Sequence, residues 1–224
     1  MESNLKDGVN IRIMDLRDYK QVKPFLKNEF FNAEPLYLSL SCGKPFQPLD
    51  EEQWDEENLS MIAQGMCLVA LDEQDGNRLV GCALAGSLFP EDYERHRRMA
   101  ENADQTISGH LNVYLYKLES GANIFERYGI SKALLSRMTT VAGSKRGKGL
   151  GSRLAKTLME LGRTKGFPVM VANCTSFYSA RQKESLGMEC IYSLAHVDFK
   201  DNQGRVTFTP PPPHTMTRVM AIKL

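Results

Sequence analysis

No stretch of this chain approaches the roughly 18 consecutive apolar residues that a membrane span requires. The opening residues, MESNLKDGVNIRI, carry no apolar signal core, so a cytoplasmic location is expected. Cysteine is sparse and unpatterned. Cys42, Cys67, Cys82, Cys174 and Cys190 form no CxxC pair, which argues against a disulfide framework or a thiolate metal site. They read as reduced thiols, with Cys67, Cys82 and Cys190 expected as small buried residues. His96, His110, His196 and His214 show no metal-ligand spacing, so no metal is expected. A basic excess is also missing. With 28 basic and 27 acidic residues the net charge is +1, which speaks against a general nucleic-acid binder. Any phosphate recognition must therefore be local.

What is present suffices for a core. Hydrophobic residues make up 42% of 224, and no internal repeat or long linker divides residues 1–224, so one domain is expected. VNIRIMDL alternates as a strand does, and Val22, Phe25, Leu26 and Phe30 fall at helical spacing over Tyr19 to Phe31. Pro35 marks where that helix has ended. DEEQWDEENLSMIAQG is an acidic helix start with an apolar face, closed by Gly65. Its acids read as a solvated face or as an attractor of cationic amines. MCLVAL and RLVGCALAG are two strands around an Asp75-Gly76 turn. Pro90 to Leu118 is helical in pattern, with breaks expected at Ser108-Gly109, and NIFERYGI continues it. Then come strand KALLSRMTTVA, helix LGSRLAKTLMELGRTKG, strand FPVMVANC, the short helix SARQKESLG, and strands CIYSLAHVDF and HTMTRVMAIKL. This order predicts one α/β domain with a mixed sheet. The run Pro210 to Pro213 reads as a stiff connection near the site or as a polyproline ligand.

The segment GSKRGKGLG, Gly143 to Gly151, holds the strongest local signal. It is not a nucleotide P-loop: Gly143 and Gly147 stand one residue too close, and Gly149 follows Lys148. It is not a dinucleotide fingerprint either, since Gly147-x-Gly149-x-Gly151 is one residue short. A plain strand-to-helix turn remains open, because glycine permits positive φ. So does an anion cradle. Leu150, Leu154, Leu158 and Leu161 give the following helix one buried face, and its first N–H groups have no helical partner. Arg146 and Lys148 add charge beside them, an arrangement suited to phosphate.

RGKGLGSRL after a strand resembles the acetyl-CoA motif of the GNAT superfamily of N-acetyltransferases, whose pattern is Q/R-x-x-G-x-G/A. Read as Ser144-x-x-Gly147-x-Gly149, the chain departs at the first position. FFNAEPL, CTSFYSAR and VTFTPPPPHTMTRVMA, in that order, resemble the insect arylalkylamine N-acetyltransferase branch, including relatives acting on agmatine. The resemblance covers essentially the whole chain. It implies a mixed, mostly antiparallel sheet of about seven strands flanked by helices.

The resemblance implies transfer of an acetyl group from acetyl-CoA directly to a small arylalkylamine or related biogenic amine, without a covalent intermediate; agmatine or polyamine acetylation, protein lysine or N-terminal acetylation, and a non-catalytic coenzyme A-binding module are the alternatives, and a monomer is expected. The resemblance places the general base at Glu34. Phe30, Phe31, Pro35 and Leu36 surround that residue with apolar side chains, which would raise its pKa; an exposed glutamate at a helix end is the alternative. Thr140, Val141, Ala142 and Gly143 would offer backbone groups to the oxyanion and the pantetheine. Arg146, Gly147, Lys148, Gly149, Leu150 and Gly151 would hold the diphosphate. Lys183 stands where many superfamily members carry a tyrosine acid, so Tyr178, Ser179 and Thr175 become the candidate proton donors. Thr175 and Ser176 are alternatively helix caps, Ser176 otherwise a cofactor contact. Arg181 meets a phosphate or solvent, and Pro35 and His214 border the acceptor pocket.

Overall fold

The computed structural model describes residues 5–41, 43–48 and 50–224; the first four residues, Cys42 and Leu49 lie outside them. Strands β1 (Leu5–Lys6), β2 (Val9–Ile13), β3 (Leu68–Asp72), β4 (Arg78–Leu88), β5 (Ala133–Val141), β6 (Val169–Cys174), β7 (Glu189–Ala195) and β8 (Met216–Lys223) form one sheet. Its order is β1-β2-β3-β4-β5-β6-β8-β7, and only β5 and β6 run parallel. The expected seven strands are there, with the two-residue β1 added at one edge.

Helix α1 (Tyr19–Phe25) passes into a π-helical turn, Leu26–Phe31, instead of running regularly to Phe31. Pro35 does more than follow a helix. It opens α2 (Pro35–Ser41), where its missing N–H costs nothing at the first helical position. Helix α3 (Glu51–Ala63) starts on Asp50, whose side chain accepts the Gln53 N–H at 2.9 Å. Its acids are partly engaged: Glu51 and Asp55 pair with Lys23, each at 2.6 Å.

The polar helical stretch divides into α4 (Pro90–Glu101) and α5 (Ile107–Ala122), followed by α6 (Ile124–Tyr128). The break lies at residues 102–106, not at Ser108-Gly109. Thr106 caps α5 by accepting the Gly109 N–H at 3.1 Å. Gly109 is needed there for space, since a Cβ would stand 2.2 Å from the Asp104 carbonyl oxygen.

Helix α7 (Leu150–Thr164) lies between β5 and β6 in the chain, the crossover a parallel pair requires. Leu150, Leu154 and Leu158 are buried in one core cluster with Leu68, Ala83, Leu134 and Met170. Each such leucine contributes about 1.5–3 kcal/mol by leaving water. Helix α8 (Phe177–Ser185) packs beside α7. The other sheet face carries α1, α2, α3 and α5, with Tyr114 of α5 at its centre against Phe199 and Phe208. Cys67 and Cys82 are buried as expected, and burial pushes the Cys67 thiol up to about 11. Cys190 is exposed, because β7 is the outermost strand and turns that residue outward.

Candidate active site

The sheet opens where β5 meets β6. Only Leu134↔Met170 and Leu135↔Val171 pair, yet β5 continues to Val141 and β6 to Cys174. Beyond Leu135 the two strands part. The β5 edge facing the gap from Ser136 onward has no strand partner, so its amides and carbonyls are available to another extended chain. A bulge at Leu84/Ala85 on neighbouring β4 sits at the level where the gap begins.

The head of α7 stands at the mouth of this gap. Gly149 is its N-cap with φ of +79°, and Gly147 has φ of +73°. Nothing lies within 4 Å of a Cβ built on either, so these glycines serve the backbone conformation and leave the space above them open. A helix start at Leu150 also corrects the motif register. Arg146-x-x-Gly149-x-Gly151 meets Q/R-x-x-G-x-G/A in full, whereas the reading from Ser144 does not. Gly151 is close to α8, its Cβ position 3.0 Å from Gln182 Nε2.

The cations around this turn divide their work. Lys145 pairs with Asp72 at 2.5 Å, and Lys148 donates to the Ser144 carbonyl at 3.2 Å. Lys145, Lys148 and Arg153 line a cavity of about 270 Å³ with Asp7, Val9 and Leu150, next to the helix head. Arg146 turns the other way. Its Nε donates to the Val141 carbonyl at 2.9 Å and its Nη2 to the Glu29 carbonyl at 2.7 Å. The Gly143 N–H donates to Glu29 Oε2 at 3.0 Å, and the Ala142 N–H to the Val80 carbonyl at 2.9 Å. Several main-chain groups from Val141 to Gly143 are thus engaged within the chain. The free main-chain edge lies earlier on β5, toward Thr140, which is buried.

On the opposite sheet face Glu34 precedes α2 and acts as its cap. Its Oε2 accepts the Tyr37 N–H at 2.6 Å, and the Leu38 N–H reaches its carbonyl at 3.0 Å. Oε1 is buried and has no hydrogen-bond partner. Burial raises the pKa of Glu34, against the opposing pull of the Tyr37 amide, the Thr175 hydroxyl and the Leu36 amide. Thr175 follows β6 directly, so the carboxylate stands where β6 ends at the gap. The buried Pro35 fixes the next residue.

Helix α8 carries the remaining candidates. Ser176 Oγ accepts the Tyr178 N–H at 3.2 Å, the capping role. Ser179 Oγ donates to the Ser176 carbonyl at 2.8 Å, and Tyr178 is 64% exposed. Arg181 is exposed, with its guanidinium 5.9 Å from the Phe177 ring centre. His214 Nδ1 accepts the Phe177 N–H at 3.1 Å, which ties the proline loop to the start of α8. Lys183 is 2% exposed with no partner for Nζ, and burial lowers its pKa.

Sequence reading missed a buried polar cluster around Tyr114, which feels the Glu34 charge. Tyr114 hydrogen-bonds His196 Nδ1 at 3.0 Å and donates to the Leu194 carbonyl at 3.2 Å. His196 Nε2 and Thr217 Oγ1 are buried without partners. Burial, with His214 nearby, lowers His196 to about 4. These residues come from α5, from the end of β7 and from β8, and no local pattern marks them.

No protein-family model matches the chain. Solved structures do. A mosquito arylalkylamine N-acetyltransferase like 5b is similar with TM-score 0.85 and 29% identity, over 96% of this chain and 100% of that one. A Drosophila melanogaster polyamine N-acetyltransferase, which catalyses formation of N-acetylagmatine, is similar with TM-score 0.83 and 29% identity, over 96% and 100%. Arylalkylamine N-acetyltransferase 2 from Aedes aegypti is similar with TM-score 0.87 and 25% identity, over 97% and 99%.

Proposed function

The chain belongs to the GNAT superfamily, in its insect arylalkylamine N-acetyltransferase branch, and we propose that, as an acyltransferase of that branch, it moves the acetyl group of acetyl-CoA directly to the primary amine of a small arylalkylamine. One observation carries the reading. A buried carboxylate with one unpartnered oxygen, Glu34, stands at one side of the β5–β6 gap, and the open glycine head of α7 stands at its mouth.

In this mechanism the first N–H groups of α7, with Gly147, Gly149 and Gly151 permitting close approach, hold the diphosphate of the cosubstrate. Lys148, Arg153 and Lys145 add positive charge at the adjoining cavity. The free edge of β5 up to Thr140 hydrogen-bonds the pantetheine arm and offers an N–H to the oxyanion. An alkylamine with a pKa of about 10.4 arrives protonated at neutral pH. Glu34 takes that proton, and the raised pKa makes it a stronger base than an exposed glutamate. The neutral amine then attacks the thioester carbonyl; as the C–S bond breaks, the second proton on the attacking nitrogen passes through a hydroxyl or water to the departing thiolate, giving the neutral amide and the free thiol. Ser179, Tyr178 and Thr175 are the candidate donors to the thiolate, and water substitutes where a hydroxyl is lost. Arg146 works on the loop from behind.

The acceptor side favours an aromatic amine. Tyr114 feels the Glu34 charge and contacts His196 and Thr217, with Phe199 and Phe208 packed against its ring. The agmatine reading stays the alternative, since one similar structure is of an enzyme that forms N-acetylagmatine.

The test is free-thiol release from acetyl-CoA with tyramine, agmatine and a lysine peptide as acceptors. Faster turnover of tyramine supports the proposal, faster turnover of agmatine selects the alternative, and activity on the peptide alone overturns both. The same reading keeps the expectation of a cytoplasmic monomer, to be checked by sedimentation velocity and cell fractionation.

A further inference from the structure

Glu29 lies on the π-helical turn five residues before Glu34, and sequence patterning gives it no role. In the structure it holds the cofactor loop at three points. Its Oε2 accepts the Gly143 N–H at 3.0 Å and Arg146 Nη2 at 3.3 Å, and its carbonyl accepts Arg146 Nη2 at 2.7 Å. The same guanidinium holds the Val141 carbonyl, at the end of β5, through Nε at 2.9 Å.

The chemistry of these groups explains the arrangement. The last carbonyls of a helical turn lack partners inside it, and a π turn ending at Phe31 leaves the Glu29 carbonyl among them. Arg146 caps that carbonyl, as arginine does at helix C-termini. Its planar fork binds β5 and the π turn together, which a lysine could not do with equal geometry. Gly143 has room for this approach, with Glu29 Oε2 the sole atom within 4 Å of a Cβ built there. The pair is part exposed, 46% for Arg146 and 32% for Glu29, so its charge attraction alone is weak. Its effect is geometric: it fixes two main-chain groups of the loop that leads to Gly147 and Gly149.

We propose that Glu29 is a positioning residue that, through Arg146 and the Gly143 amide, sets the cosubstrate loop relative to the segment bearing Glu34. This rests on the acetyltransferase reading above. Both subsites then share one brace, and loosening it misplaces the phosphate cradle while leaving the base itself intact.

The experiment is calorimetric binding of coenzyme A, without amine, together with steady-state kinetics, for the wild type, Glu29→Ala, Glu29→Gln, Arg146→Ala and the double Glu29→Ala/Arg146→Ala variant. Loss of a charge-assisted contact predicts a roughly tenfold weaker Kd and higher KM for acetyl-CoA in Glu29→Ala, with kcat and the amine KM changed by less than about twofold. Glu29→Gln keeps an oxygen acceptor and restores most of the affinity. The double variant loses less than the sum of the two single ones, because both remove the Arg146 Nη2 to Glu29 Oε2 contact and loosen the same loop. Wild-type coenzyme A affinity in Glu29→Ala, additive losses in the double variant, or a uniform fall in kcat and thermal stability without a KM change each overturn the inference alone. A wild-type protein that binds no coenzyme A overturns the functional reading as well.

Discussion

The Tyr37 amide nitrogen lies 2.6 Å from Glu34 Oε2, while Glu34 Oε1 stays buried without a partner. One carboxylate therefore divides its labour. One oxygen caps α2, which favours the anion; the other is withheld from water, which favours the acid. Burial wins, and the pKa is raised.

Glu34→Gln should preserve the cap, since the amide oxygen still accepts from Tyr37, and remove the base. The expected loss in kcat/KM is about 10²–10⁴-fold. Wild-type activity should rise with pH through the raised pKa, and the variant should lack that limb. Stability moves the other way. A carboxyl whose folded pKa is raised stabilises the fold below its unfolded value of 4.5, and that contribution is lost as pH rises through the folded pKa. Glu34→Gln should thus melt at a higher temperature than wild type at pH 7 and at the same temperature below pH of about 4. Calorimetry and a thiol-release pH profile check both.

Gly149→Ala should weaken cosubstrate binding far more than Gly151→Ala. At Gly149 a Cβ meets no atom, so the cost is the left-handed backbone at +79°, about 1–2 kcal/mol. At Gly151 the nearest atom is the mobile end of Gln182, and the backbone is not left-handed. Coenzyme A titration of the two variants gives the comparison, and equal affinities would contradict a cradle centred on Gly149.

Lys183→Met should stabilise the protein at neutral pH. Burial lowers the Lys183 pKa, so stability rises with pH toward the unfolded value of 10.5 and is forfeited below it. Removing an unpartnered buried amine is worth about 1–3 kcal/mol. Melting curves at pH 7 and pH of about 10 should show the gain shrinking at the higher value.

His196 should remain neutral down to about pH 4. Its folded pKa is below the unfolded 6.5, so its contribution to stability is present above 6.5 and is lost as pH falls toward 4. Imidazole NMR shifts followed through that range check the titration. A midpoint near 6.5 would mean that the Tyr114–His196 contact is open to water.

Much of this molecule was readable without coordinates. Alternation in VNIRI, the short apolar run RLVGCALAG and the leucine spacing of α7 are local properties of the chain, so these segments announced their own structures. The Gly147–Gly149 turn did so as well, because positive φ demands glycine whatever surrounds it. Placement of helix breaks was harder. Ser108-Gly109 looks like a break in one dimension, but the 2.2 Å approach of Asp104 to Gly109 exists only after folding. The Arg146-x-x-Gly149-x-Gly151 register of the glycine motif is also legible in the sequence, and the helix start at Leu150 agrees with it. Glu34, Thr175, Tyr114, His196 and Thr217 are scattered over the chain, and their meeting depends on β6, β7, β8, α2 and α5 packing around one gap. Composition supplied the groups and periodicity their elements; the burial that raises the Glu34 pKa, and the approach of Glu29 to Gly143 and Arg146, are properties of the assembled tertiary structure alone.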